Sequence, residues 1–323
     1  MKDLYAFMHS NQSPHLTCIA LRFMQSGEFN RSQVRTMPIW IKLVLWIITL
    51  SVLCTGILLL FGVTDNKNKS TQQANRLIQL TSTKGHTKVD FSRFEQLPPP
   101  VARYFQLVLR NGQPLIRIAR FSQKGELRIN EKNDKWSPFE ANQIAVPSAA
   151  GFQWNARISI APLLHVQVCD TYIAGKGSGR VNLMSAITLA HDENIRELNS
   201  GALHRYLAEA VWYPTALLPD TGVKWREVDN NTAIATLTDS GITVSLEFRF
   251  NHAGEVTGIY TPERYGRFDG GYELHPWEGH FKNYQERNGI MVPMEGEVGW
   301  HLPDRWWSFW KGNIIQINYD FMQ

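Results

Sequence analysis

Hydrophobic and polar positions divide the chain into two regimes. Residues 43–63 read LVLWIITLSVLCTGILLLFGV, twenty-one residues without a charge. As a helix rising about 1.5 Å per residue, that run reaches roughly 30 Å, the thickness of a bilayer's hydrocarbon core. Beyond Leu115 the period becomes two. Phe152, Trp154, Ala156, Ile158 and Ile160 alternate with Gln153, Asn155, Arg157 and Ser159; Ile242, Val244, Leu246, Phe248 and Phe250 alternate with Thr243, Ser245, Glu247 and Arg249. Such alternation predicts antiparallel strands with one apolar and one wet face. Similar segments fall near 115–121, 125–130, 164–174, 222–228, 231–238, 255–261, 278–286, 290–300 and 312–320. Asp239-Ser240-Gly241, Asn251-His252-Ala253-Gly254 and Asn288-Gly289 separate neighbouring runs as hairpin turns would.

Helical spacing interrupts the alternation twice. Leu97-Pro98-Pro99-Pro100 leads into VARYFQLVLR, with proline near the first helical turn and Asn111-Gly112 at the close. The longer segment is GALHRYLAEAVWYPTALLPD, broken at Pro214. Leu203, Tyr206, Leu207, Ala210 and Val211 share one stripe, with Arg205, Glu209 and Trp212 on the adjoining one. A helix inserted between strands must bury its apolar stripe, and the concave face of a sheet is the natural place. The expected fold is mainly β with inserted helices (α+β). It is a large curved antiparallel sheet or half-barrel packed on a helix, preceded by one transmembrane helix.

The apolar run exceeds a signal peptide's h-region of about 7–15 residues, and its exit lacks an A-x-A pattern. Leu53 before Cys54 is too bulky for a lipoprotein signal. The expected division is therefore a polar tail at 1–36, an uncleaved anchor at 37–64, a juxtamembrane linker at 65–94 and a β-rich domain at 95–323. The tail is either cytoplasmic sequence or lies upstream of a true start at Met37. Arg22, Arg31, Arg35 and Lys42 precede the span, against Lys67, Lys69 and Arg76 after it. This bias places the N-terminus inside and the large domain outside the cytoplasm.

After residue 63 there are 28 Lys and Arg against 27 Asp and Glu. A near-neutral domain without a basic cluster lacks the footprint of nucleic-acid binding. Only Cys169 of the three cysteines lies in the domain, so no intradomain disulfide and no cysteine-rich metal site is possible there. It is expected to be buried and inert. Nine tryptophans fall in the domain. They fit sheet packing, an apolar cavity or a membrane-facing rim equally well.

The runs LPPPVARYF, QKGELR with WSPFEANQ, FQWNAR, RYLAEAVWYPTALLP, TVSLEFRF, PWEGHFKNY and PMEGEVGW resemble a bacterial family catalogued as a domain of unknown function. Its members usually follow an N-terminal hydrophobic segment. The resemblance covers about residues 95–320 and brings no catalytic residues with it. With the span and the charge bias, a bacterial family gives the expected location as the bacterial inner membrane, single-pass, with the large C-terminal domain extracytoplasmic. The layout is also similar to lipoprotein-carrier half-barrels, in which a curved sheet wraps helices over an apolar cavity.

Candidate chemistry is sparse. Arg205 and Glu209, four apart on one helix, can pair; buried against the sheet, Glu209 would be a candidate general acid or base. His204 is expected in solvent. Glu278 and His280 share a strand face and, with His275, would offer three zinc ligands, although no HExxH spacing supports them. Glu295 and Glu297 share a strand face, as solubilising charges do. AGKGSGR matches no phosphate-binding loop and reads as a hairpin or bulge. Trp306-Trp307-Ser308-Phe309-Trp310 reads as an aromatic cluster between strands.

The expected function is a membrane-anchored, non-enzymatic protein binding a lipid or other apolar ligand between sheet and helix. Trp154, Arg205, Tyr206, Glu209, Trp212, Tyr213 and Trp277 are the expected ligand contacts. No cofactor, metal or nucleic acid is expected; the expected partners are membrane lipid, an apolar ligand and an envelope protein. The alternatives are an envelope protein–protein adaptor and a hydrolase using Glu209.

Overall fold

A computed structural model describes residues 37–81, 87–132 and 134–323; the expected tail at 1–36 lies outside them. The described residues divide into two compact units, one ending at Thr55 and the other beginning at Gly56. A single helix, α1 (Ile39–Gln79), begins in the first and ends in the second. Its apolar stretch is long enough to cross a membrane, and the side chains there are exposed.

In the second unit, α2 (Pro99–Val108) precedes the strands β1 (Ile116–Leu127), β2 (Ser137–Val146), β3 (Gly151–Ala161), β4 (Leu164–Ile173), β5 (Lys176–Leu183) and β6 (Ile187–Glu193). Then α3 (Arg196–Glu209) and three short 3-10 turns lead to β7 (Lys224–Asp229), β8 (Thr232–Asp239), β9 (Ile242–Phe250) and β10 (Val256–Phe268). The chain finishes with β11 (Gly271–Arg287), β12 (Ile290–His301) and β13 (Trp306–Phe321). All thirteen make one antiparallel sheet in the order β6-β5-β4-β3-β2-β1-β13-β12-β11-β10-β9-β8-β7. It consists of two meanders joined where β1 pairs with β13, Phe121 opposite Ile317 and Gly125 opposite Gly312.

The α3 segment carries the chain from one sheet edge to the other. It touches β4 and β5 on one wing and β9, β10 and β11 on the other. Eight strand spacings separate β5 from β10, roughly 38 Å in a flat sheet. A helix is only about 10–12 Å across with its side chains. The sheet therefore curves around α3 until its wings meet. Tyr172 Oη in β4 donates to Asp239 in β8 at 2.8 Å, and Tyr272 Oη in β11 donates to Asp192 in β6 at 2.9 Å.

Several local readings change. The segments at 115–121 and 125–130 are one strand, β1, with a register shift between Ser122 and Gln123. Strand β2 escaped notice because small and polar residues, Ala141, Gln143 and Ala145, point inward beside Phe139. Strand β6 is an edge with no buried position, so nothing required it to alternate. In AGKGSGR, Ala174 and Gly175 form the left-handed turn and the rest enters β5. Trp306–Trp310 lies inside β13, with Trp307 buried and Trp306 exposed.

Residues 65–79 continue α1. Within the second unit that part of α1 lies on the outer face of β3, β4 and β5 through a polar seam. Asn66 joins Gln167 at 3.2 Å and Asn182 at 2.8 Å. Ser70 meets Gln153 and Asn155, each at 2.9 Å, and Gln73 accepts from Cys169 Sγ. Leu77 closes the seam in a small apolar cluster with Val146 and Ile173. Cys169 is buried there, and burial pushes its thiol up to about 11.

Candidate functional site

Helix α3 is pressed against the sheet from both sides because two glycines remove the side chains that would hold it off. A Cβ on Gly201 would sit 2.7 Å from the carbonyl oxygen of Tyr265 in β10, and one on Gly177 in β5 would sit 2.9 Å from that of Leu198. The helix begins at Arg196, earlier than the Gly201 start read from the sequence. It is buried on several sides, at Asn199, Leu203, His204, Tyr206, Leu207 and Ala208, so its pattern is not one-sided.

At this crossing lies an ionic cluster. Arg205 donates through Nε to Glu209 at 2.7 Å and through Nη1 to Asp170 of β4 at 2.9 Å. Gln143 Nε2 donates to the other Glu209 oxygen at 2.5 Å. The Arg205 guanidinium lies 4.8 Å from the Trp154 ring centroid and 5.1 Å from that of Phe152. Burial works against its charge, but Glu209 and Asp170 outweigh it and raise the Arg205 pKa. Burial raises the Asp170 carboxyl against the pull of Arg205, while a third of that side chain stays exposed.

A second cation stands close by. Arg264 of β10 is stacked over Trp277 at 4.4 Å and Trp300 at 5.0 Å. Its Nε and Nη2 donate to the carbonyl of Gly201 at 3.2 and 3.0 Å. Among the described residues it forms no ion pair with a carboxylate. Burial, then the charge of Arg205, lowers it to about 9, so it stays cationic at neutral pH.

The expected contacts fall into two sets. Trp154, Arg205 and Glu209 come together directly, and Trp277 joins them through Arg264. Tyr206, Trp212 and Tyr213 are buried with their polar atoms engaged: Tyr206 Oη to Pro147 O at 3.0 Å, Tyr213 Oη to Tyr206 O at 2.8 Å and Trp212 Nε1 to Pro293 O at 2.9 Å. These three, with Leu203, Leu207 and Val211, are buried core residues of α3 and the turn that follows it. Sequence reasoning missed Asp170, Gln143 and Arg264. Only the topology brings β2, β4 and β10 to one helix.

Beyond the end of α3 the inner face is less covered. Cross-strand register continues the inner row from Ile158 through Val166 to Leu183, and from Ala156 through Val168 to Val181. Val168, Val181, Leu183, Val298, Phe309 and Trp310 are half-buried at the margin of the core. Glycines make room for the indoles: a Cβ on Gly312 would meet the Trp310 ring at 2.4 Å, and one on Gly296 would meet Trp212 at 3.3 Å.

A separate open cleft of about 600 Å³ lies where β9 and β10 part, their pairing being confined to 247–250 and 256–260. His204 lies at this cleft, buried rather than solvated. Its Nδ1 bonds the Ser200 carbonyl at 3.0 Å, so that nitrogen carries the proton. Burial, then the charge of Arg264, lowers its pKa to about 4. The unfolded chain, with an ordinary histidine near pH 6.5, binds the extra proton first on acidification. Stability from this group is present above about pH 6.5 and is lost as pH falls toward 4, by about 3 kcal/mol. Urea denaturation of residues 64–323 at pH 7.5 and 4 will show that loss, and His204→Gln will remove most of it.

His275, Glu278 and His280, weighed as zinc ligands, do not converge. His275 falls on the opposite strand face from Glu278 and His280. Glu278 is engaged by Arg249 at 2.7 Å and His301 at 2.7 Å. No metal-holding group of three ligands occurs among the described residues.

The thirteen-stranded antiparallel sheet with its crossing helix defines the class: a curved, open β fold with a few helices. The chain belongs to the family of unknown function DUF6920, which matches residues 95–319. A comparison with curated proteins finds no match. Among solved structures the chain is similar to a LolA superfamily protein from Nitrosomonas europaea, at 7% identity and a TM-score of 0.36, covering 73% of this chain and 96% of that one. It is also similar to a beta-barrel-like protein of domain of unknown function DUF1849 from Brucella abortus, at 9% identity and a TM-score of 0.21, covering 64% of this chain and 99% of that one. At such values nothing of what those proteins do transfers to this chain.

Proposed function

We propose that the chain is a non-enzymatic binding protein for an amphipathic, lipid-like ligand, held to a bacterial inner membrane by α1 with its β domain outside the cytoplasm. The ligand lies over the half-buried inner-face rows beyond α3 rather than beneath the helix, and its acidic head meets Arg264. The observation that carries this reading is Arg264 itself, a cation between two indoles whose only hydrogen-bond acceptor among the described residues is a backbone carbonyl. Such a guanidinium favours a carboxylate or phosphate. The adjoining aliphatic and aromatic surface suits acyl chains. Glu209, held by Arg205 and Gln143, orders the cluster in this reading.

The test is energy transfer from the domain's tryptophans to cis-parinaric acid, using residues 64–323 to avoid detergent. Saturable transfer is expected, and Arg264→Met weakens binding about tenfold, the loss of one charge-assisted contact. The corresponding uncharged alcohol will bind both proteins equally. Absence of saturable transfer in the unaltered protein overturns the reading.

A further inference from the structure

A second apolar surface lies at the hairpin turns beside α1. In the β3–β4 turn Leu163 is 97% exposed, and Leu164 is exposed next to it. In and after the β5–β6 turn, Met184, Ile187 and Leu189 are exposed as well. Backbone conformation makes these side chains notable. Leu163, Met184 and Ser185 have φ of 61°, 50° and 60°, a left-handed region that favours glycine or asparagine. Bulky apolar residues occupy turn positions where small or polar ones would fold with less strain and dissolve better.

The seam along α1 fixes where these turns point. Leu77 packs against Gly151, Ser70 bonds Gln153 and Asn155, and Asn66 bonds Gln167 and Asn182. Nearest the apolar run, Gly62 lies against Ala186, where an added Cβ would be 2.6 Å from the carbonyl oxygen. Strands β3 to β5 thus follow α1 toward its N-terminal end, and the two turns arrive together beside Gly62. They are tied to each other: Met184 N donates to His165 O at 2.9 Å, and His165 Nε2 bonds Ser185 Oγ at 3.0 Å. Gly62 is the penultimate residue of the uncharged run at 43–63, the level at which a spanning helix leaves the hydrocarbon.

We propose that the β3–β4 and β5–β6 hairpin tips insert into the bilayer beside the anchor, with Leu163, Leu164, Met184 and Ile187 at the boundary of headgroups and acyl chains. This rests on reading α1 as a membrane span. The occupant is the chain's own bilayer because the tips meet α1 where its apolar run ends. Clustered apolar side chains at that depth add a second attachment to the first. The consequence is orientation: β3, β4 and β5 stand on the membrane, with the Ala174-Gly175 turn at their far end.

The test uses the full chain with Cys18→Ser, Cys54→Ala and Cys169→Ala, carrying a single NBD label at Leu163→Cys. Ile187→Cys provides a second reporter, and Lys176→Cys, at the far end of β5, the control. Each protein is reconstituted into phosphatidylcholine–phosphatidylglycerol vesicles with or without lipids carrying a nitroxide near the glycerol. Labels at 163 and 187 are expected to lose about half their emission or more, as groups about 5–10 Å into the boundary would, while the label at 176 is unaffected. If the chain floats with the vesicles but both tip labels behave like the control, tip insertion is overturned and the anchor stands. A chain that does not float overturns both.

Discussion

Trp212→Ala will lower the stability of residues 64–323 by about 4 kcal/mol, at the upper end of what a single side chain contributes. The indole is 2% exposed. It meets Phe121 at 5.7 Å, Phe281 at 5.8 Å and Trp310 at 6.3 Å between ring centroids. Its Nε1 also satisfies the Pro293 carbonyl. Truncation therefore opens a large cavity and strands a buried acceptor. Trp212→Phe will recover roughly half of the loss, since it restores ring volume but not the donor. Urea midpoints measure both. A loss below about 1 kcal/mol for the alanine variant would show that the core around β12 and β13 collapses to fill the gap.

Arg205→Met will cost about 3 kcal/mol, the lower part of the range for breaking a buried ion pair. Methionine keeps the stem packed between Phe152 and Trp154, so the change isolates the charge. What remains is Asp170 and Glu209 facing each other without the cation that held both. The figure is kept low because a third of Asp170 is still solvated. Adding Glu209→Gln to Arg205→Met will return part of the loss, because one of the two unpaired carboxylates is gone. That non-additivity in a double-mutant cycle is the signature of a shared network. Strictly additive effects would dissolve the cluster into independent contacts.

The strands with apolar residues on one face only were readable from the sequence because that leaves a period of two, as in Ile242–Phe250 and in Phe152–Ile158, whose other face is polar although α1 covers it. The α3 segment was recognisable from its spacing, but its true start was not: Gly201 looks like a helix breaker until Tyr265 is seen against it. Strand β6 was invisible because it buries nothing. The ionic cluster was half legible. Arg205 and Glu209 sit four apart in one helix, a local relation, whereas Asp170, Gln143 and Arg264 arrive from strands separated by long stretches of chain. The seam along α1 could not be foreseen, since Asn66, Ser70 and Gln73 look like ordinary solvated residues until the outer face of β3 to β5 supplies amides to match them.

The order of strands also sets the timetable of assembly. The strand numbered last in chain order within this sheet, β13, is the seventh of thirteen, the middle of the sheet, where Asn318 pairs with Arg120 across nearly two hundred residues. Until β13 is in place, β1 and β12 each present an unpaired edge, and the two meanders cannot close. Contacts so distant in sequence make folding slow, and open edges meanwhile invite pairing with neighbouring chains. Loss of Trp306–Phe321 alone would remove the keystone, leaving two half-sheets linked by a rod.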